Sequence, residues 1–159
     1  MNKETAFLKT PIGTLEISGN DKGIQTVTIL KDDKETSKYI PEILKVCVAQ
    51  LQEYFEGKRT NFTLKLNPKG TTFQQKVWEE LQNIPFAKTI TYKEQSKTLG
   101  NLKAIRAVAS ANGKNPILII IPCHRVVGSN GSLTGFSAGL WRKKWLLDHE
   151  KPTKQKSLF

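Results

Sequence analysis

The sequence predicts a small α/β domain, with an antiparallel sheet and a helix, followed by a mostly α-helical domain that contains a helix-turn-helix. Three observations support this order: alternating apolar residues near the amino terminus, apolar residues at helical spacing through most of the remainder, and a strong turn signal between them. The turn signal is Asn67-Pro68-Lys69-Gly70. We therefore predict domains at residues 1–67 and 68–152, followed by a flexible tail at 153–159.

The first domain has the pattern of a sheet that packs on one helix. Residues 13–30 alternate apolar and polar side chains around a turn-rich stretch at 19–23, which predicts a β-hairpin. Pro41 is placed to open a helix, and apolar residues then recur at helical spacing up to Gly57, a residue typical of a helix C-terminus. Apolar residues alternate again over 62–66 and predict one more strand. This domain shows no catalytic cluster of its own.

Two capping boxes predict where helices begin in the second domain, because each pairs a Thr with a Glu or Gln three residues later. They are Thr72-x-x-Gln75 and Thr91-x-x-Glu94. The second of these helices is short and stops at Gly100, and Asn101 can cap the next helix, at 102–112. A last helix is predicted from about Leu140 to Glu150, with Trp141, Trp145 and Leu146 as apolar anchors.

The short helix and the helix at 102–112 have the spacing of a helix-turn-helix of the winged-helix-like kind. One face of the longer helix carries basic and small side chains: Lys103, Ala104, Arg106, Ala107 and Ala111. Small side chains let a helix backbone approach DNA closely, and a lone arginine then projects from it. An ordinary α-hairpin packed on the core has the same periodicity, so the pattern alone identifies neither a DNA-binding helix nor a groove.

The net charge of +11 is concentrated in the second domain. Residues 1–67 contain ten Lys or Arg against nine Asp or Glu, whereas residues 88–147 contain ten against one, Glu94. A basic region beside a nearly neutral one is typical of proteins that bind a polyanion, and nucleic acid is the leading candidate. A merely solvated basic surface is the alternative that charge alone leaves open.

Composition excludes several classes of protein. No apolar run is long enough to cross a bilayer, and residues 1–5 lack the apolar region of a signal peptide, so we expect a cytoplasmic protein without membrane contact. Cys47 and Cys123 are too few for a disulfide framework, and with two histidines they offer no zinc spacing, so we expect no metal and no cofactor. Cys47 lies on an apolar helix face and is interpreted as a core residue, because a buried thiol keeps its proton.

The most informative stretch is the apolar run 117–121 with the residues that follow it, Pro122, Cys123 and His124. Four isoleucines in five residues predict a buried strand, and Pro122 ends it. A thiol on the rigid end of a strand, with an imidazole on the next residue, has the parts of an activated nucleophile. A small buried cysteine beside a histidine that only satisfies a turn is the structural alternative.

Around this pair the sequence closely resembles a known motif. Asn115-Pro116, then five residues, then Pro122-Cys123-His124-Arg125-Val126 is similar to the signature of the O6-alkylguanine-DNA alkyltransferases, also called methylated-DNA–protein-cysteine methyltransferases. Further matches lie in the same order across the second domain: Phe73-Gln74, Val77-Trp78, Ile84-Pro85, Thr91-Tyr92, Arg106-Ala107-Val108, Gly131-x-Leu133-x-Gly135, Leu146-Leu147 and His149-Glu150. The first domain matches loosely, as the variable amino-terminal domain of that family.

The resemblance implies direct DNA repair, in which the alkyl group of O6-methylguanine, and also of O4-methylthymine, moves irreversibly and once to Cys123. A thiol is a poor nucleophile near neutrality and needs a base. By resemblance, His124 accepts its proton through a water, Glu150 orients the imidazole, and Tyr92 supplies a proton to the departing guanine. From the residues alone Asp148 is a rival carboxylate, but it points about 200° away from Glu150 on a helix, so the two cannot share the role.

The resemblance also implies double-stranded DNA as the partner of a monomer, bound in the minor groove with the damaged base turned out of the duplex. Arg106 matches the residue that takes the place of that base in the stack. Lys103, Ala104, Ala107 and Arg125 are grouped with it as DNA-contacting residues.

A hinge and a base pocket follow from the same resemblance. Asn115 matches the hinge, and Val126, Phe136 and Ser137 match the pocket. Phe136 stands where the family often has tyrosine, and Ala87 and Ala109 stand where it has glycine. We expect the two alanines to tighten a turn or a helix contact without affecting the chemistry.

Two other functions fit parts of the pattern. A regulator or a lesion-binding relative without chemistry would need the helix-turn-helix, but lesion-binding relatives lack the reactive cysteine that is present here as Cys123. A cysteine hydrolase would need Cys123 and His124 but no DNA-binding helix. Alkyl transfer is therefore the leading hypothesis, and a non-catalytic lesion-binding or regulatory helix-turn-helix protein is the alternative.

Overall fold

The structure is a computed structural model that describes residues 2–151, so the tail predicted at 153–159 lies outside the described residues. The amino-terminal domain is built on an antiparallel sheet of three consecutive strands, β1 (Glu4–Thr10), β2 (Gly13–Asn20) and β3 (Gly23–Ile29). A 3₁₀ turn at Glu42–Leu44 leads into helix α1 (Lys45–Phe55), which packs on the sheet. The predicted hairpin is confirmed as β2 and β3, and the predicted helix as α1.

Two elements of this domain differ from the prediction. Strand β1 was not predicted, because only Ala6 and Leu8 of its seven residues are buried, which is too short an alternation to stand out. The strand predicted over 62–66 is wrong. There the backbone pairs with β3 at one isolated parallel bridge, between Leu66 and Ile24, and a single bridge does not make a strand.

Within the described residues, the carboxy-terminal domain has four α-helices and a short parallel ladder. The helices are α2 (Thr72–Leu81), α3 (Tyr92–Thr98), α4 (Ile105–Gly113) and α5 (Leu140–Glu150), with 3₁₀ turns at Leu102–Ala104 and Cys123–Arg125. The ladder pairs β4 (Ile90–Thr91) with β5 (Val126–Val127). The predicted fold class is confirmed. None of the helices within residues 2–151 is long and apolar enough to cross a membrane.

Local sequence explains where two of these helices begin. The Thr91 hydroxyl accepts a hydrogen bond from the Glu94 N–H, and the Glu94 carboxylate accepts one from the Thr91 N–H, which is the predicted capping box. The box at α2 is displaced by one residue from the prediction. Thr71 and Gln74 form it, because Thr72 is already helical.

Helices α3 and α4 form the predicted helix-turn-helix. Asn101 caps the 3₁₀ turn between them by accepting a hydrogen bond from the backbone. The buried amides of Gln95 and Asn112 exchange two hydrogen bonds of 2.9 and 2.8 Å across the pair. The Trp78 indole donates to the Ala111 carbonyl at 2.9 Å and fastens α4 to α2. Buried hydrogen bonds therefore join α4 to α3 and to α2.

The strand predicted at 117–121 is wrong, although all five residues are buried. Ile117 forms one bridge with Val27 of β3, and the chain then turns: Ile119 has a φ of 73°, and the Ile121 N–H donates to the Ile117 carbonyl at 3.1 Å. β-branched residues favour a strand where a neighbouring backbone is free to pair with them. Here β3 offers a single position, so the run becomes a buried turn.

Helix α5 packs against α1 and joins the two domains. Trp145 and His149 stack with ring centroids 4.8 Å apart, and Phe55 of α1 lies 5.6 Å from Trp145. His149 Nε2 also lies 2.6 Å from the Tyr54 carbonyl oxygen. Trp141, predicted as an anchor of this helix, is 55% exposed because it lies on the outer side of the first turn.

Candidate active site

Asn115 holds the turn that carries the cysteine. Its Nδ2 donates to the Ile121 carbonyl at 2.7 Å and its Oδ1 accepts from the Ile117 N–H at 2.9 Å, so one amide closes the buried turn. The same Nδ2 lies 3.3 Å from Cys123 Sγ. Asn115 thus links the support of the thiol to the thiol itself, whereas the hinge role stays a prediction.

Cys123 begins the 3₁₀ turn at Cys123–Arg125, and its side chain is buried. Burial raises the pKa of the Cys123 thiol, while the hydrogen bond from Asn115 and the positive charge of Lys143 act to lower it. The resting group is therefore a thiol. It needs a base before it can act as a nucleophile.

Cys47 provides an internal comparison. It is also buried, and burial raises the pKa of its thiol to about 12. Burial therefore does not distinguish the two cysteines, contrary to the argument made from the sequence. The difference lies in their neighbours, because Cys123 has an amide donor, a lysine and an adjacent histidine.

His124 is fully buried and lies directly on Glu150, with 2.7 Å between Nε2 and Oε2. Burial lowers the pKa of His124, so the imidazole is neutral. Burial acts to raise the pKa of Glu150, but the hydrogen bonds and charges of His124 and Arg125 hold it well below its usual range. An ionised carboxylate can only accept, so Nε2 carries the hydrogen and Nδ1 keeps a free lone pair. Nδ1 is buried without a partner among residues 2–151, which makes it the available proton acceptor.

Glu150 is the centre of the buried polar network. Arg125 donates from Nε to Oε1 at 2.8 Å and from Nη2 to Oε2 at 3.1 Å. The Tyr54 hydroxyl donates to Oε2 at 2.6 Å. The rival carboxylate, Asp148, is exposed and forms ion pairs with surface lysines. The structure therefore brings Glu150, and not Asp148, to the histidine.

The expectation that Arg125 contacts DNA is corrected by its position. Its side chain is buried, two of its nitrogens grip Glu150, and Nη1 donates to the Ile84 carbonyl at 2.7 Å. A guanidinium turned inward in a bidentate ion pair is not available at the surface. Tyr54, which completes this network, was missed because it lies 96 residues before Glu150 in another domain.

Tyr92 and Lys143 meet at the Thr134 carbonyl, which accepts from the Tyr92 hydroxyl at 2.9 Å and from Lys143 Nζ at 2.7 Å. Burial raises the pKa of Tyr92, so its hydroxyl keeps the proton and remains a donor. Burial lowers the pKa of Lys143, while the neighbouring Cys123 acts to raise it. Sequence reasoning missed Lys143. Its helical spacing to Leu146 and Glu150, which share its buried face, is the signal that could have found it.

The predicted base-pocket residues lie at different depths. Phe136 and Val126 are buried, Val126 in the ladder with β4, whereas Ser137 is exposed. Ser137 and Asn115 line a cavity of about 450 Å³, and residues 28–31 at the end of β3 form another part of its wall. The amino-terminal domain therefore shares a cavity with two of the predicted site residues, Asn115 and Ser137.

The predicted DNA-facing residues lie together on the outer side of the helix-turn-helix. Lys103, Arg106 and Ala107 are exposed and Ala104 is partly exposed, across the 3₁₀ turn and the first turn of α4. Ala111, which the sequence placed on the same face, is instead buried against α2. The outer face is shorter than predicted, and the exposed side chains of this segment include Leu102 and Ile105 besides Lys103, Arg106 and Ala107.

Ala87, expected to affect only a turn, contacts the Glu150 carboxylate through its backbone. Its φ of 68° is left-handed, a conformation that costs an L-residue roughly 1–2 kcal/mol. Its N–H donates to Glu150 Oε1 at 3.4 Å. A glycine at this position would adopt the turn without strain, and the turn itself helps to hold the carboxylate.

The Glu150 carboxylate already accepts hydrogen bonds from Tyr54, His124 and Arg125. Within residues 2–151, no group of three or more His, Cys, Asp or Glu side chains is placed to hold a metal ion.

Two family models match the chain: residues 5–68 match the ribonuclease-like domain of 6-O-methylguanine DNA methyltransferase, and residues 72–152 match its DNA-binding domain. The chain belongs to the 6-O-methylguanine DNA methyltransferase family. The two models of this methyltransferase family adjoin at the predicted Asn67–Gly70 turn, although the domain limits given above stay a prediction.

Relatives in the methyltransferase family resemble the chain over nearly its whole length. A methylated-DNA–protein-cysteine methyltransferase of Methanosarcina barkeri is 44% identical over 154 residues, which cover 91% of this chain and 95% of the relative. The crystal structure of Mycobacterium tuberculosis O6-methylguanine methyltransferase matches with a TM-score of 0.85 and 36% identity, over 99% of this chain and 100% of that one. A structure of Mycobacterium tuberculosis OGT in complex with DNA matches with a TM-score of 0.81 and 37% identity, over 96% and 98% of the two chains.

Proposed function

We propose that this protein repairs alkylated DNA by taking the alkyl group of O6-alkylguanine irreversibly onto Cys123. One observation carries the proposal: consecutive buried residues hold the two reacting groups, Cys123 with its sulfur 3.3 Å from Asn115 Nδ2 and His124 with its Nε2 2.7 Å from Glu150 Oε2. The helix-turn-helix that precedes them in the chain exposes Lys103 and Arg106. Membership of the family supplies the reaction class. The contacts support the role that we propose for each side chain.

The proposed reaction begins with the removal of the thiol proton. His124 Nδ1 accepts the Cys123 proton through a water, and ionised Glu150 stabilises the imidazolium that forms. The hydrogen bond from Asn115 and the charge of Lys143 stabilise the thiolate, and both act strongly because the site is buried. The thiol therefore becomes a nucleophile only when the proton has a place to go.

The alkyl transfer then balances within the site. The thiolate attacks the alkyl carbon in line, so the sulfur–carbon bond forms as the carbon–O6 bond breaks, and the electron pair of that bond stays with guanine. Tyr92 donates a proton to the base and is reprotonated from His124 through solvent. In the net reaction the thiol proton replaces the alkyl group on guanine, and Cys123 is left as a thioether.

Intact-protein mass spectrometry tests the enzyme activity. After incubation with an oligonucleotide that contains O6-methylguanine, the wild-type protein should gain one methyl group, and peptide mapping should place it on Cys123. Cys123→Ala should still bind the oligonucleotide but gain no mass. Cys47→Ala is the matched control, because it removes the other buried thiol and should be methylated normally. An unmodified wild-type protein would reject the proposal.

We propose that the outer face of α4 enters the minor groove and that Arg106 fills the space left by the extruded base. Arg106→Ala should slow repair of duplex DNA far more than transfer from free O6-benzylguanine, because only the duplex requires base extrusion. Lys103→Ala, on the same face, should weaken duplex binding and reduce its salt dependence without this selectivity. Equal losses on both substrates in Arg106→Ala would reject the stacking role. The monomeric state, O4-methylthymine as a substrate and a cytoplasmic location stay predictions.

A further inference from the structure

Tyr54 connects the amino-terminal domain to the active site. It lies on α1, its side chain is fully buried, and its hydroxyl donates to Glu150 Oε2 at 2.6 Å. Its ring is packed edge-on against Phe55, Phe86 and His149, at centroid distances of 5.3, 6.4 and 5.0 Å. Because the neighbouring rings fix the orientation of the Tyr54 ring, they also fix the position of its hydroxyl group. Burial and the charge of Glu150 raise the pKa of Tyr54, so the hydroxyl stays protonated and donates.

The hydroxyl shares one carboxylate oxygen with the histidine. Glu150 Oε2 accepts from Tyr54, from His124 Nε2 at 2.7 Å and from Arg125 Nη2 at 3.1 Å. Donors to one oxygen share its charge, so the bond from Tyr54 reduces the attraction between the carboxylate and a protonated imidazole. The other charged groups that act on His124 are Arg125 and Lys143, and both are positive. Among the donors to Oε2, Tyr54 is the one that comes from the amino-terminal domain.

We propose that Tyr54 is a positioning residue that acts through Glu150: its hydroxyl shares the charge of Oε2 and so limits how strongly the carboxylate draws a proton onto the His124 imidazole. The inference rests on the proposed function, in which His124 takes the Cys123 proton. It adds that a residue of the amino-terminal domain shifts the acid limit of alkyl transfer. A tyrosine that only filled the core would not need its hydroxyl, because phenylalanine fills nearly the same space.

Tyr54→Phe removes the hydroxyl and keeps the ring. Tyr39→Phe is the matched control, because Tyr39 lies in the same domain but is 76% exposed. Two quantities should be measured against pH: the NMR titration of the His124 imidazole, and the rate of alkylation by free O6-benzylguanine, which avoids DNA binding. In Tyr54→Phe the His124 midpoint and the acid limb of the rate should both move up by about half a pH unit, because Glu150 attracts the proton more strongly. Neither should move in Tyr39→Phe.

An unmoved His124 midpoint, or a shift to lower pH, overturns the inference even if the variant also melts at a lower temperature. Site-specific 3-fluorotyrosine at Tyr54 supplies a stronger donor and keeps every hydrogen bond, so it should move both quantities in the opposite direction. The NMR titration does not depend on alkylation. If the wild-type protein gains no alkyl group but the midpoint shifts as expected, the proposed function fails and the link from Tyr54 to His124 stands.

Discussion

A single methyl group at Gly135 should slow the reaction by displacing Tyr92. A Cβ built at Gly135 would lie 2.7 Å from the Tyr92 hydroxyl oxygen, whereas ordinary van der Waals contact begins at 3.4 Å. The hydroxyl would therefore have to retreat by about 0.7 Å, which is enough to lengthen or break its hydrogen bond to the Thr134 carbonyl. Since a misplacement of about 1 Å can cost roughly 10²-fold in rate, we expect Gly135→Ala to slow alkyl transfer about ten- to a hundred-fold.

Gly131 separates this effect from backbone strain. Gly135 and Gly131 have φ values of 68° and 81°, so alanine at either costs roughly 1–2 kcal/mol of stability. Among the described residues, however, nothing lies within 4 Å of a Cβ added at Gly131. Gly131→Ala should therefore lose stability and keep its rate, whereas Gly135→Ala should lose both.

Single-turnover alkylation by a duplex with O6-methylguanine, followed by intact mass, measures the rate at a temperature where circular dichroism shows both variants folded. Combining Gly135→Ala with Tyr92→Phe adds a second check, because without the hydroxyl the nearest ring atom is 3.7 Å from the new Cβ. The double variant should be little slower than Tyr92→Phe alone. Equal rates in the two glycine variants, or additive losses in the double variant, would refute the assignment of Tyr92 as a placed proton donor.

Three further predictions follow from individual side chains. Ala87→Gly should relieve the left-handed strain and, after subtraction of the extra chain entropy of glycine, raise the free energy of unfolding by about 0.5–1 kcal/mol. Calorimetry would show this as a rise in melting temperature of about 2 °C, and a fall would mean that Ala87 is not strained. Because burial lowers the pKa of His124, the alkylation rate should stay constant as the pH falls to about 6.5 and should decline only below that pH, as the imidazole becomes protonated. A midpoint of this decline above about pH 6.5 would contradict a buried neutral base. Arg125→Lys should lower stability because it loses the bidentate contact with Glu150, yet the folded variant should bind DNA with wild-type affinity in a titration at fixed salt; weaker binding would restore Arg125 to the DNA surface.

Local signals in the sequence were sufficient for the elements whose causes are local. The capping box at Thr91 and Glu94, the hairpin of β2 and β3, and the limits of α5 were all predicted, because caps, turns and periodicity act within a few residues. The failures at 62–66 and 117–121 share a different cause. Both segments have the composition of a strand, but a strand also needs a neighbouring backbone along its length, and each segment meets β3 at one position.

The motif around Cys123 and His124, the unequal charge and the order of matches across the second domain determined by themselves which family this protein joins and which residue accepts the alkyl group in our proposal. The tertiary structure alone decided which side chains point into the site and which groups they contact. In the folded chain Arg125 points inward to Glu150 and Lys143 lies near the Cys123 thiol. Glu150 contacts His124, whereas Asp148 pairs with a surface lysine. The fold also places Tyr54, from the other domain, on the Glu150 carboxylate. A sequence motif specifies the reacting groups, but the strength of a buried acid or base depends on neighbours that only the folded chain brings together.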